Sequence, residues 1–346
     1  MSWDKTYTIK DIAESVGVAP STVSRVLNET SSSIPISEST RKKVLDAARK
    51  LNYAPNVNAR RLARKDTNTI ALLLPSCVTQ GRNVFSDFTL VRMLEGVEEA
   101  ILKKDYRLLL VFKSNKFILG REYLRMFHEG SIDGMLIWGY NYNDDYIDDL
   151  KNYPVILLNS MPRNAKGINY VGHDNIAGAR ATTQAVIDKG HRKLLYLSGA
   201  HNVSITHERI AGFRQAITEN GLQLDEKDIF ESGFYPENGY GLLKELYQNG
   251  RLKEYDAVVC ANDDTAVGCY KAAAELGLSV PGDIAITGGD GVQPHLELNP
   301  TLTTFVVDSA QMGRLGISRL LELIKKKRKK PCQDIVPVKF KPGESI

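Results

Sequence analysis

The sequence predicts an α/β protein in which a small helical headpiece of helix-turn-helix type precedes a two-lobed core of parallel sheets flanked by helices. Three observations carry this. From residue 69 onward, short apolar runs alternate with longer amphipathic stretches, the pattern of a parallel sheet covered by helices. The alternation restarts after Gly172, giving two similar lobes in series. Charge is uneven: residues 1–65 hold 12 Lys+Arg and 6 Asp+Glu, a net +6, while the remainder holds 33 and 35, a net −2. A basic front on a near-neutral body points to nucleic acid at the front of the chain.

The totals exclude several classes. A chain of 346 residues has room for two or three domains. No run approaches the ~18 apolar residues of a membrane span. The opening MSWDKTYTIKD has no apolar signal core, so a cytoplasmic protein is expected. Four cysteines, at 77, 260, 269 and 332, show no CxxC spacing and read as buried reduced thiols. The six histidines are scattered, and the separation of His201 and His207 fits no common ligand motif, so neither metal nor cofactor is expected. No G-x-S-x-G, H-E-x-x-H or Walker A sequence is present, which argues against an enzyme.

The first element in order is TIKDIAESVGVAPSTVSRVLN, residues 8–28. Thr8 caps one short helix, with Asp11 as capping-box partner. Ile12, Ala13 and Val16 share a face. Gly17 makes the corner, and Pro20 opens a second helix whose inner face is Val23, Val26 and Leu27. Ser21, Thr22, Ser24, Arg25 and Asn28 are left to point outward, as on a helix that lies in a major groove. After a Ser-rich loop, Ser37 caps a third helix over 38–51, with Val44, Leu45, Ala48 and Leu51 as its apolar stripe and Tyr53 beneath it.

The core follows. Strands are expected at 70–75, 107–112, 134–139 and 154–159, with helices at 90–103 and 120–129. In the second lobe strands fall at 193–199, 228–233, 257–262 and 284–290, with helices at 176–189, 205–220, 239–249 and 265–276. A last helix spans 309–326 and ends in KKKRKK, residues 325–330. That run invites a second nucleic-acid reading beside the plainer one of a solvated helix end. Ligands of open α/β sheets bind beyond the carboxyl ends of strands, where Ser76, Asn159, Asn262 and Asp290 fall. Their side chains suit the hydroxyls of a sugar, whose ring face takes an aromatic plate. Asn262 and Asp290 also suit plain turn formation, and Arg209 could pair with Glu208 or Asp174.

The TVSRVLN run at 22–28 and the segment NVNARRLA at 56–63 make the chain similar to the LacI/GalR family of bacterial transcription regulators, and the order of core elements resembles that family's periplasmic-binding-protein-like core. The resemblance implies a helix-turn-helix domain over 6–55, a hinge helix and linker over 56–66, and an effector-binding and dimerisation core over 67–346. The first lobe would comprise about 67–172 and 307–333, the second about 173–306 and 334–346, with chain crossings near 171–174, 305–309 and 332–336. Operator contacts would come from Thr8, Pro20, Ser21, Thr22, Ser24, Arg25 and Asn28, and from the hinge residues Asn56, Ala59 and Leu62. Pro20 and Ser21 hold the specificity positions and Leu62 that of a minor-groove wedge. The effector would meet Ser76, Phe88, Asn159, Arg209, Tyr235, Asn262 and Asp290, with Trp138 as an alternative plate. Two features depart from the pattern: Ser309 stands where sugar responders commonly carry an aromatic residue, and the loop SCVTQGRNVFSDF is long. The expected protein is a homodimeric, sugar-gated repressor of a carbohydrate operon. Its competitors are a solute-binding protein of a sugar transporter and a sugar-active enzyme using Asp263, Asp264 or Asp290.

Overall fold

The computed structural model describes residues 7–27, 35–53, 67–75, 84–162, 166–292, 298–327 and 330–346. Asn28, Asn56, Ala59, Leu62, Ser76 and Cys77, and with them the expected hinge helix, lie outside the described residues. The chain divides into two compact units, Met1–Thr67 and Asn68–Ile346.

The first unit holds three helices: α1 (Ile9–Val16), α2 (Pro20–Leu27) and α3 (Glu38–Lys50). The capping box at α1 is complete: Asp11 Oδ2 accepts from the Thr8 N–H at 2.6 Å, and Thr8 Oγ1 accepts from the Asp11 N–H at 3.4 Å. Gly17 turns the corner at φ +72°, where a side chain would be strained. Ile12, Ala13, Val23, Val26 and Val44 form the core, with Tyr53 packed against it. Leu45, expected in the α3 stripe, is exposed; the inner face of α3 is carried by Val44, Ala47, Ala48 and Leu51. So few buried residues make a thin core.

The second unit is built on two parallel sheets. Strands β1 (Thr69–Pro75), β2 (Arg107–Lys113), β3 (Gly134–Trp138), β4 (Val155–Leu158), β5 (Tyr170–His173) and β11 (Gln333–Val336) form the first, in the order β11-β5-β4-β3-β1-β2. All of their pairings are parallel. Strands β6 (Leu194–Ser198), β7 (Ile229–Glu231), β8 (Ala257–Cys260) and β9 (Ala285–Thr287) form the second, in the order β7-β6-β8-β9. The first four strands of each lobe therefore share one winding. Strands β10 (Thr304–Val306) and β12 (Lys339–Lys341) pair antiparallel. The chain leaves the first sheet after His173 and again after Val336, where β11 ends as the parallel neighbour of β5.

Helices cover both sheets: α4 (Phe88–Leu102), α5 (Asn115–Leu119), α6 (Glu122–His128) and α11 (Ser309–Ile324) in the first lobe, and α7 (Asn175–Asp188), α8 (Ser204–Glu219), α9 (Pro236–Gln248) and α10 (Asp263–Leu276) in the second. The helix expected over 120–129 spans Glu122–His128, and a further short one, Asn115–Leu119, precedes it, the two separated where Arg121 adopts φ +49°. Helix α4 starts two residues earlier than its periodicity suggests because Asp87 caps it, accepting from the Thr89 and Leu90 N–H groups. Glycines let helices α4 and α11 touch backbone to backbone: a Cβ on Gly96 would overlap the Ala310 carbonyl, and one on Gly313 that of Met93. No helix among the described residues is long and apolar enough to cross a membrane.

Candidate functional site

A cavity of about 240 Å³ opens between the carboxyl ends of the two sheets, where open parallel sheets take ligands. The first lobe supplies Asp87 and Phe88 at the start of α4, Trp138 at the end of β3 and Asn159 after β4. The second supplies Arg209 from α8, Tyr235 before α9, Asn262 after β8 and Asp290 after β9. Phe88, Asn159, Arg209, Tyr235, Asn262 and Asp290, scattered over two hundred residues of sequence, thus line one space.

Two of these side chains stand on backbone that only glycine enters freely: Asn159 has φ +60° and Asp290 φ +99°. Each such residue costs about 1–3 kcal/mol, a cost retained where the position matters. His173 Nδ1 lies 3.2 Å from Asn159 Oδ1. An amide oxygen only accepts, so the ring donates and the Asn159 amide N–H groups remain for other partners. Asn262 is largely committed: its Oδ1 accepts from Thr265 N at 3.1 Å and Oγ1 at 2.6 Å, and its Nδ2 donates to the Phe234 carbonyl at 2.9 Å. It both caps α10 and fixes the wall that carries Tyr235.

Arg209 is 2% exposed. Its Nε donates to Asn175 Oδ1 at 2.9 Å, Nη1 to the Ala261 carbonyl at 2.5 Å and Nη2 to Asp290 Oδ1. The guanidinium also lies 5.0 Å from the centre of the Phe305 ring. Its ion pair is with Asp290 rather than Glu208 or Asp174. Burial raises the Asp87 carboxyl above its ordinary value, the hydrogen bonds from Thr89 and Leu90 oppose this, and the charge of Asp290 adds to it. One carboxylate from each lobe therefore feels the other across the cleft. Asp263, by contrast, is spent on structure, accepting from Thr304 Oγ1 at 2.6 Å and Val292 N at 2.7 Å.

Sequence reasoning missed Asp87, Phe234 and the apolar pair Val203 and Ile205, all of which line the cavity. Only Asp87 left a signal, as a helix cap just ahead of Phe88-Thr89-Leu90. Trp138 is both lining and core at 7% exposure. In the headpiece Thr8, Pro20 and Ser21 are exposed, while Thr22, Ser24 and Arg25 are half-buried along α2.

Residues 8–56 match the family model of bacterial regulatory proteins, lacI family, and residues 183–346 that of a periplasmic binding protein-like domain. The chain is 31% identical over 332 residues to the HTH-type transcriptional repressor PurR of Glaesserella parasuis serovar 5, spanning 95% of this chain and 94% of that protein. It is 32% identical over 323 residues to the PurR repressor of Vibrio campbellii, with 92% of each covered. Its fold is that of the transcriptional regulator CelR in its cellobiose complex (TM-score 0.73, 25% identity, 98% and 99% covered) and of the lac repressor dimer bound to operator and the anti-inducer ONPF (TM-score 0.84, 24% identity, 99% of each). Headpiece, two-lobed core and cleft define a ligand-responsive regulator of the helix-turn-helix class. The chain belongs to the LacI family: it is a DNA-binding transcriptional repressor, not an enzyme. The solute-binding and enzyme alternatives give way to this assignment.

Proposed function

We propose that this repressor acts in the cytoplasm as a homodimer on a quasi-palindromic operator and is gated by a neutral, polyhydroxylated ligand, a sugar or sugar derivative, belonging to the operon it controls. The observation that carries the ligand class is the placing of Asp87 and Asp290 on opposite lobes of one cavity, with Arg209 already neutralised by Asp290. Hydroxyl donors bridging the two carboxylates would offset their repulsion as the lobes close. A phosphate or carboxylate would add to it. Phe88, Trp138 and Tyr235 supply ring-sized plates, and the likeness to a regulator in complex with cellobiose agrees with this class.

The second copy would cover the edge strand β2 and the neighbouring α4, where Leu109, Leu110, Phe112 and Val91 are exposed. An apolar edge of this kind is an aggregation hazard unless another chain occupies it. Arg25 would read or flank a base edge, Pro20 and Ser21 would set specificity, and Thr8, Thr22, Ser24 and Asn28 would hold phosphates. Asn56, Ala59 and Leu62 would form a hinge helix too short to persist alone, with Leu62 as the wedge.

The test is a thermal-shift screen of sugars, sugar phosphates and purine bases on the whole protein and on Asp290→Asn. A neutral sugar should raise the melting temperature of the wild type and not of the variant. Stabilisation by a sugar phosphate or a purine base alone would replace the ligand class.

A further inference from the structure

The lysine run at the end of the last helix is not isolated in space. Every strand of the first sheet is parallel, so all of its strand starts lie along one edge: Thr69, Arg107, Gly134, Val155, Tyr170 and Gln333. Helices α4 and α11 both end at this edge. The Arg107 N–H donates to the Asn68 carbonyl at 2.8 Å just past the end of α4, and a Cβ on Gly134 would touch Leu320 and Ile324 of α11 at 2.9 and 3.0 Å. A surface groove there is lined by Lys103 and Lys104 from one helix end and Lys325 and Lys327 from the other. Lys326 stands between Lys325 and Lys327 in the chain, Lys330 lies three residues ahead of the start of β11 on the same edge, and all six lysines are exposed.

The acids of the same surface do not neutralise them. Glu99 pairs with Arg314 at 3.0 Å and Glu322 with Arg319 at 2.9 Å, which leaves Asp105 as the exposed acid between the ends of α4 and β2. Among the described residues none of the six lysines forms a salt bridge. A cation or two at a helix C-terminus is ordinary, since it complements the helix dipole. Six on one edge exceed that need, and they repel one another.

This edge is also where the chain enters the second unit. The headpiece continues into Asn68 through residues 54–66, a connection that spans at most about 45 Å when extended. A polyanion held by the headpiece is thereby kept at high local concentration near the lysines. We propose that the strand-start edge of the first lobe is a second DNA-contacting surface, on which these six lysines bind phosphates of the duplex beyond the stretch read by the recognition helix. The contact is independent of sequence, so it strengthens binding to operator and random DNA alike, and it makes binding steeply dependent on salt.

The test uses the full-length protein and a mixed-sequence duplex of roughly 40 bp, with affinity followed across a salt series. Lys325→Gln, Lys326→Gln, Lys327→Gln and Lys330→Gln are combined in one variant, Lys103→Gln and Lys104→Gln in a second. A control carries Lys189→Gln, Lys193→Gln, Lys253→Gln and Lys271→Gln, all exposed on the second lobe. The slope of log K against log salt should become shallower by about 0.9 for each phosphate no longer neutralised, with binding near 100 mM salt at least about tenfold weaker in the quadruple variant. The pair should shift the slope in the same direction and the control should leave it unchanged. An unchanged slope in both edge variants, or an equal change in the control, would overturn the proposal, the first leaving an acidic protein as the partner of this edge and the second a mere effect of net charge.

Discussion

Arg209 carries its charge in a place where water is all but absent, so its energetics rest on three fixed acceptors: Asn175, Ala261 and Asp290. Removing the guanidinium strands the Asp290 carboxylate against the lining. Arg209→Met should therefore lower unfolding stability by about 3–5 kcal/mol, read from urea midpoints, whereas the same change at Arg180, half-exposed and paired with Glu219 at 2.7 Å, should lower it far less. His173 makes a second prediction. Burial pushes its ring down to about 4 from an ordinary value near 6.5. As pH falls the unfolded chain takes up this proton first, so stability is lost between about pH 6.5 and 4, by roughly 3 kcal/mol for this group. In His173→Gln, which keeps a donor for Asn159, the fall in stability over that window should be smaller; an identical pH profile would show that the ring titrates normally.

At the scale of elements, local rules worked where the backbone decided the matter alone. Thr8, Asp11, Gly17 and Pro20 each have a conformational reason to sit where they do, and the two headpiece helices follow from them. Gly17 has nothing within 4 Å of an added Cβ, so Gly17→Ala should cost only the left-handed backbone term, about 1 kcal/mol, seen as a lower headpiece melting temperature without loss of fold. Rules failed where tertiary packing decided. Leu45 continues the apolar register of α3 yet faces solvent, because a three-helix core this small has no room for it. The pairing of β5 with β11 is hidden in the sequence because each is a four-residue strand, and it joins segments far apart in the chain. The cavity was legible by family resemblance and by strand ends, which single out polar residues. Its apolar members, Val203, Ile205 and Phe234, look like any other hydrophobic side chain until the lobes are folded.

For the whole molecule, assembly and ligand response are linked. If the β2 edge is the seam between copies, Leu109→Glu with Phe112→Glu should give a monomer in sedimentation experiments, and operator binding should weaken steeply because one headpiece must hold alone. The monomer should still bind the effector, since the cavity residues all come from one chain. The glycine seam between α4 and α11 has one further consequence. Helix α4 begins beside the ligand space, with Asp87 and Phe88 at its mouth, and ends at the lysine-rich edge where the linker arrives. It is about 22 Å long, and with Gly96 and Gly313 pressed onto opposing carbonyls it has no slack to bend against its neighbour. A push at Phe88 should thus travel as the displacement of a stiff rod, arriving undiminished at Lys103; widening that seam with Gly313→Ala should blunt the ligand's effect on DNA release even where both binding steps survive.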